Sequence, residues 1–436
     1  MARYLLAASP LAGHVLPMLQ IAVDLQRRGH SVRLITGQQY HRAVHRAGVT
    51  PVALPPEAQP QSTARGSALF GSPSMIDLWR SGRADMRSVF IDPLGAQYRT
   101  LHDELQRHQA DAALVDVAFT GALPLLLSDR KRPAVAVCGV GPLMLSSADT
   151  PPFGVGWQPA PGFDYRQMNW FVHHVLFADI QTRLNTALRR AGVGPAPVFL
   201  TDWPKLADRV IQLTAPAAEY PRRDLSESVV FAGPVTANPV AAGELPQWWP
   251  EVQRTSRTVV HVTQGTWDNR DHGQLIRPTL QALAGRDDLL VVATTGLPEQ
   301  PAFSGPVPAN ARITDYLPYA ALLPVVDVMI TNGGYGGVQQ ALMHGIPLVV
   351  AGRTADKPET AARVAFTGAG IDLKTARPTS AAIAGAVQRI LTDGSYLVAA
   401  QRISREMVAA SPLDTIAGVL AGLHSVGLDR PLATGA

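Results

Sequence analysis

Short runs of apolar, β-favouring residues, each followed by a loop and then by a stretch of helical periodicity, recur in both halves of this chain. Tyr4–Ala8 is the first such run, and Ser9-Pro10-Leu11-Ala12-Gly13-His14 forms the loop after it. A helix is expected from about Val15 to Arg28, because Val15, Leu19, Ala22 and Val23 share one face. Arg27 and Arg28 in its last turn and Gly29 just beyond favour termination there. Ser31–Ile35 reads as the next strand, and further β-rich runs lie at Ala112–Val115 and Ala134–Val137. This alternation predicts an open parallel sheet wrapped by helices.

Between about Pro216 and Val252 the texture changes to prolines, acidic residues and small residues, so 216–252 is expected to be an interdomain linker. A second α/β pattern follows, with strands at Thr258–Thr263, Leu289–Ala293, Val328–Ile330 and Leu348–Val350. From Thr379 onward the segments look helical, and the amphipathic stretch Thr415–Val426 is expected to pack back across the domain junction. The expected division is a domain over 1–215, the linker, a second domain over 253–400, and C-terminal helices over 401–436. The length of 436 residues agrees with two or three domains. Two successive doubly wound sheets put their carboxyl ends at one cleft, where ligands of such folds bind.

Composition narrows the class. With 46% hydrophobic and 17% charged residues the chain can build sizeable cores. The net charge is only +4, and Arg27-Arg28 and Arg130-Lys131-Arg132 are short clusters, so a nucleic-acid partner is not expected. Cys138 is the single cysteine, which excludes an internal disulfide and a cysteine-based zinc site. The apolar stretch Tyr4–Leu19 is interrupted by His14 and two prolines, and no run reaches the roughly 18 uninterrupted apolar residues of a membrane span. The expectation is a soluble cytoplasmic protein, monomer or homodimer, with no membrane partner.

The most informative stretch is Asp315–Val364. Within it Asn332-Gly333-Gly334-Tyr335-Gly336-Gly337 joins a buried strand to a helix beginning near Tyr335. Glycines there let backbone N–H groups approach an anion, and the helix N-terminus adds about half a positive charge. By itself the feature is weak, since glycines also serve plain turns. In the first half His14 stands in a sheet-end loop, where a group titrating near neutrality can take a proton from a hydroxyl. The helix N-terminus is expected to bias this imidazole toward its neutral form. Other constellations are weaker. His41 and His45 have helical i, i+4 spacing but no evident third metal ligand, and His173 and His174 point to different helix faces. No Asp-x-Asp pair stands out, the first strand is not followed by Gly-x-Gly-x-x-Gly, and Ser9, Ser128 and Ser146 lack a nucleophile-elbow context.

Taken together, the opening Ser9–Pro17 loop and helix, Thr263–Trp267, Tyr316-Leu317-Pro318, the Gly-rich turn and Gly345-Ile346-Pro347 leading to Ala355-Asp356-Lys357-Pro358 resemble the inverting nucleotide-sugar glycosyltransferases of natural-product and xenobiotic metabolism. The resemblance extends over most of the chain. It implies the GT-B fold: two facing Rossmann-like, doubly wound parallel-sheet α/β domains with a cleft between them, the N-terminal one binding acceptor and the C-terminal one binding donor. It implies that Tyr316 stacks on the nucleotide base with the Leu317 backbone at the base edge. Thr266, Asn332, Gly333, Gly334, Gly336 and Gly337 would surround the diphosphate, Gln340 the ribose, and Asp356 and Lys357 the sugar. His14 matches the family's base and Asp116, at the end of an apolar strand, the acid that orients it. The sequence departs from the family at four places: Asn332 replaces the usual His, Gly337 a Ser or Thr, Gln340 a Glu, and Lys357 a Gln.

The expected activity is inverting transfer of a hexosyl group from a nucleoside-diphosphate sugar to a hydroxyl of a small lipophilic acceptor, such as a polyketide, macrolide or phenolic compound. UDP-glucose is the preferred donor and a dTDP-deoxysugar the next. The nucleotide sugar is a co-substrate, and no metal or other cofactor is expected. The four departures keep open a second reading, a non-catalytic helper protein. For the acceptor pocket the aromatic candidates are Phe70, Phe90, Phe119 and Phe153, with Phe119 preferred because it lies three residues past Asp116.

Overall fold

A computed structural model describes residues 1–59, 82–236, 245–265, 269, 271–296 and 303–425. Two parallel sheets organise them. The first contains β1 (Arg3–Ala7), β2 (Ser31–Gly37), β3 (Thr50–Leu54), β4 (Ala112–Asp116), β5 (Ala134–Gly139), β6 (Arg209–Gln212) and β7 (Val229–Phe231), in the spatial order β3-β2-β1-β4-β5-β6-β7. The second contains β8 (Thr258–Thr263), β9 (Leu289–Thr294), β10 (Ala311–Thr314), β11 (Val328–Thr331), β12 (Leu348–Val350) and β13 (Gly370–Asp372), in the order β10-β9-β8-β11-β12-β13. The central strands are buried on both faces and read as near-continuous apolar runs, as a parallel sheet covered by helices requires.

In both sheets the strand order reverses beside the first strand. In the first, Ala7 of β1 stands opposite Val115 of β4; in the second, Thr263 of β8 stands opposite Thr331 of β11. Adjacent strands there send their chains to opposite faces, which opens a crevice at the carboxyl ends. The loops after β1, β4, β8 and β11 therefore sit where a ligand can be reached: His14 follows the first in the opening turn of the next helix, Asp116 ends β4, and Gly265 and Asn332 lie on the last two.

Four helices matter for the site: α1 (Ala12–Arg27), α2 (Tyr335–Met343), α3 (Lys357–Phe366) and α4 (Pro412–Ser425). The buried face of α1, Val15, Met18, Leu19, Ala22 and Leu25, closes one side of the first sheet. Ile416 and Leu420 of α4 are buried in that same core, and Arg28 pairs with Asp414 at 2.6 Å. Helix α4 thus packs onto α1, β4 and β5.

The expected linker over 216–252 needs correction. It contains β7, which pairs in parallel with β6, so the first sheet runs beyond residue 215. Hydrogen bonding to β6 stabilises a short Val-Val-Phe strand that its proline- and acid-rich surroundings concealed. Ala218, Trp249 and Val252 from this region, with Ala215 just before it, pack instead into the core of the second domain. Among the described residues no single helix is long and apolar enough to cross a membrane.

Candidate active site

The loop after β1 bends directly into α1, so His14 falls in the first helical turn, and the end of β4 brings Asp116 under it. His14 Nδ1 lies 2.7 Å from Asp116 Oδ1. Asp116 is fully buried. Its Oδ1 also accepts from the Ala118 N–H at 2.7 Å, and its Oδ2 accepts from the Ser9 N–H. Two backbone N–H groups and the His14 ring converge on this carboxylate, whose oxygens accept from them. In the neutral ring Nδ1 therefore carries the proton and Nε2 keeps its lone pair, on a side chain that is partly exposed.

The electrostatics differ from the expectation set by the helix end. Burial is the largest influence on His14 and pushes its pKa down. The charge of Asp116, its hydrogen bond and the charge of Asp356 together outweigh burial, so His14 titrates above the ordinary value of 6.5. A helix-terminal partial charge cannot compete with a carboxylate in contact. Asp356, from the loop before α3 in the second domain, thus acts electrostatically on His14 across the cleft. Burial holds the Asp356 carboxyl above the usual range, against the opposing charges of His14 and Lys357. Ala355 immediately before it has φ of 52°, a left-handed conformation costing a non-glycine residue about 1–3 kcal/mol.

On the second sheet, β11 ends at Thr331 and α2 starts at Tyr335, so Asn332, Gly333 and Gly334 make the whole turn. Gly333 has φ of 85°, and a Cβ there would lie 2.8 Å from Val350 Cγ1, so no other residue fits without movement. No described side chain caps α2, whose first-turn N–H groups belong to Tyr335, Gly336 and Gly337. Asn332 is buried and donates through Nδ2 to the Gln264 carbonyl, which ties the loops after β8 and β11 together. A Cβ at Gly337 would meet only ordinary contact at 3.7 Å from Tyr319 Oη. Lys357 Nζ lies 2.8 Å from Thr354 Oγ1, and its Cβ lies close to the Gly333 turn. Gln340 is half-buried on α2.

Tyr316 leaves 47% of its surface exposed while Leu317 is 2% exposed, so the tyrosine presents an open ring beside a buried anchor. The aromatic candidates divide. Phe119 is completely buried in the core of the first domain, which corrects the preference for it: the chain turns inward after Asp116, and the Phe119 N–H donates to the Asp116 carbonyl. Phe90 is half-buried against the same core and accepts through its carbonyl from Thr120 Oγ1. Phe153 is half-buried in the loop that meets α3. Phe70 and Thr266 lie outside the described residues. His41 Nε2 approaches the Thr36 carbonyl at 3.3 Å, and among the described residues no group of three His, Cys, Asp or Glu side chains is placed to hold a metal ion. Sequence reading missed the approach of Asp356 to His14 and a buried ion cluster between the domains; neither leaves a signal in spacing or periodicity.

Residues 278–423 match the family described as erythromycin biosynthesis protein CIII-like, C-terminal domain. Over 437 residues the chain is 36% identical to 4'-demethylrebeccamycin synthase of Lentzea aerocolonigenes, covering 97% of this chain and 99% of that one. It is 32% identical over 433 residues to UDP-glycosyltransferase 2 of Phaeomoniella chlamydospora, covering 95% and 94%. The solved structure of the glycotransferase of kitacinnamycin superposes with a TM-score of 0.75 at 20% identity, over 97% of this chain and 99% of that one. VinC in complex with DTDP superposes with a TM-score of 0.67 at 19% identity, over 98% and 100%. Two facing parallel-sheet domains with their reversal points at one cleft define the GT-B architecture. The chain belongs to the natural-product glycosyltransferases.

Proposed function

We propose that this glycosyltransferase moves a hexosyl group from a nucleoside-diphosphate sugar to a hydroxyl of a small lipophilic acceptor, with inversion and without a metal. The observation that carries the reading is His14, tethered through Nδ1 to a buried Asp116 and facing Asp356 across the cleft. His14 Nε2 takes the acceptor hydroxyl proton as the oxygen bonds to the anomeric carbon. The bond from that carbon to the diphosphate oxygen breaks, and its electron pair leaves with the nucleoside diphosphate. Asp116 stabilises the imidazolium that forms. The first-turn N–H groups of α2 meet the charge developing on the leaving group, and Asp356 accepts hydrogen bonds from sugar hydroxyls. Tyr316 supplies the face for the base, and Phe153, on a loop against α3, lines the acceptor side.

UDP-glucose is the favoured donor; the Phaeomoniella relative, a UDP-glycosyltransferase, supports the uridine nucleotide. A thymidine-diphosphate deoxysugar comes second: Gln340 lacks the carboxylate that grips two ribose hydroxyls, and a deoxyribose offers only one. VinC, of the same architecture, is in complex with DTDP, which supports this second donor class. Donor-dependent stabilisation tests the binding half of the proposal. A nucleotide sugar at about 100 times its dissociation constant adds roughly 2.7 kcal/mol, which raises the melting temperature. No rise with any UDP- or dTDP-sugar contradicts the reading.

The raised His14 pKa has a kinetic consequence. Only the neutral ring accepts a proton, so kcat/KM climbs with pH through a pKa above the ordinary histidine value of about 6.5. Rates at low substrate between about pH 5.5 and 9 locate this limb. A limb below 6.5 contradicts the assignment of His14 as the base.

A further inference from the structure

We propose that Arg363 is a positioning residue for the transfer, its guanidinium locking α3 to the first domain so that Asp356 is held opposite His14. This inference rests on the reading of the site given above.

Arg363 lies on the inner face of α3, six residues after Lys357, and its side chain is 4% exposed. Its Nε donates to Glu219 Oε2 at 2.8 Å, one Nη donates to Glu359 Oε2 at 2.8 Å, and the other donates to the Leu143 carbonyl at 3.1 Å. The guanidinium also stacks over the Tyr220 ring, 4.4 Å from its centroid. Glu359, one turn earlier on α3, turns its other oxygen to the N–H groups of Gly154 and Gly156, each at 2.8 Å. Glu219 turns its other oxygen to the Leu143 N–H at 2.8 Å. Arg222 adds a second cation, 3.6 Å from Glu219, and donates to the Leu143 carbonyl. Two carboxylates and two guanidinium groups are thus neutralised inside the domain junction.

All the first-domain partners of Glu359 and Arg363 on this cluster come from the loop after β5 and the segment after β6. The same loop carries Gly141, where a Cβ would lie 3.6 Å from Asp356 Oδ2. At Gly156 a Cβ would lie 2.7 Å from Pro358 Cβ, so only glycine lets the loop come this close to α3. The cluster therefore fixes the helix whose leading residue completes the catalytic cleft. A buried ion cluster adds little net stability over an apolar replacement, but its geometry is specific, which suits a part that sets position. The charged groups facing His14 are Asp116 from β4 and Asp356 from the start of α3.

The test compares Arg363→Met, Arg363→Lys, Glu359→Gln, Asp356→Asn and the double variant R363M/D356N. It uses steady-state kinetics and NMR titration of the His14 ring in the full chain. Arg363→Met is expected to lower kcat/KM for the donor by about 10²-fold, the scale of an ångström of misplacement, with Arg363→Lys recovering part. His14 is expected to titrate lower in Arg363→Met, as in Asp356→Asn, and no lower in the double variant than in Asp356→Asn. The direction discriminates: removing a cation without moving α3 would raise the His14 pKa instead. A lowered melting temperature with unchanged kinetics and unchanged His14 titration overturns the proposal, as do additive shifts. If Arg363→Met does not fold, Arg363→Lys decides on the same readouts, since it keeps the positive charge and loses only the guanidinium's fork. If the cycle is non-additive but His14→Ala stays active, the base assignment fails and the clamp stands.

Discussion

His14→Ala is expected to lower kcat by about 10²–10⁴-fold, the usual contribution of a positioned general base, while donor affinity stays nearly intact. The magnitude follows from what remains. The α2 N-terminus, Asp356 and Tyr316 belong to the second domain and do not depend on the imidazole, so donor binding and stabilisation of the leaving group persist. Only the acceptor proton loses its destination, and water must take it. Alanine also leaves Asp116 with the N–H donors of Ser9 and Ala118, so the buried carboxylate is not stranded and the fold should hold. Single-turnover rates with saturating donor separate this loss from any change in binding.

Asp116→Asn is expected to cost a similar amount through different physics. An asparagine offers one acceptor oxygen and one donor group where the aspartate accepts from Ser9, Ala118 and His14. If the amide faces the backbone, donor meets donor in a buried site. If it faces His14, it donates to Nδ1 and drives the ring proton to Nε2, where no acceptor proton can then be received. The same exchange in a Ser-His-Asp site costs about 10⁴-fold in kcat by this tautomer effect. The variant should also move the acid limb of kcat/KM to lower pH, because the largest influence raising the His14 pKa is gone. A rate loss without that movement would mean that Asp116 supports the fold and not the base.

The architecture was legible because parallel sheets leave apolar runs separated by helical periodicity. His14 and Asp116 could be paired although they are 102 residues apart, since both fall at carboxyl ends of strands. What stayed hidden depends on tertiary contact. Whether Phe119 points to a pocket or a core is decided by how the chain turns after β4, which composition does not encode. β7 exists because β6 offers it hydrogen bonds, and its proline-rich surroundings argued for a linker. His14 titrates opposite to the direction expected because the helix end counts for less than the Asp116 carboxylate in contact, to which Asp356 adds a smaller pull from the other domain. Glu359 and Arg363 carry no sign of burial in their i, i+4 spacing; it comes from Glu219 and the Gly154–Gly156 loop closing over them.

The most direct test of the central claim is a mass-resolved transfer assay. The purified chain is incubated with UDP-glucose, or with a dTDP-deoxysugar, against phenolic, macrolide and steroid acceptors, in parallel with His14→Ala. The account predicts a glycosyl mass gain on at least one acceptor that falls by orders of magnitude in the variant. An equal gain in both proteins, or none with any donor in the wild type, would contradict it.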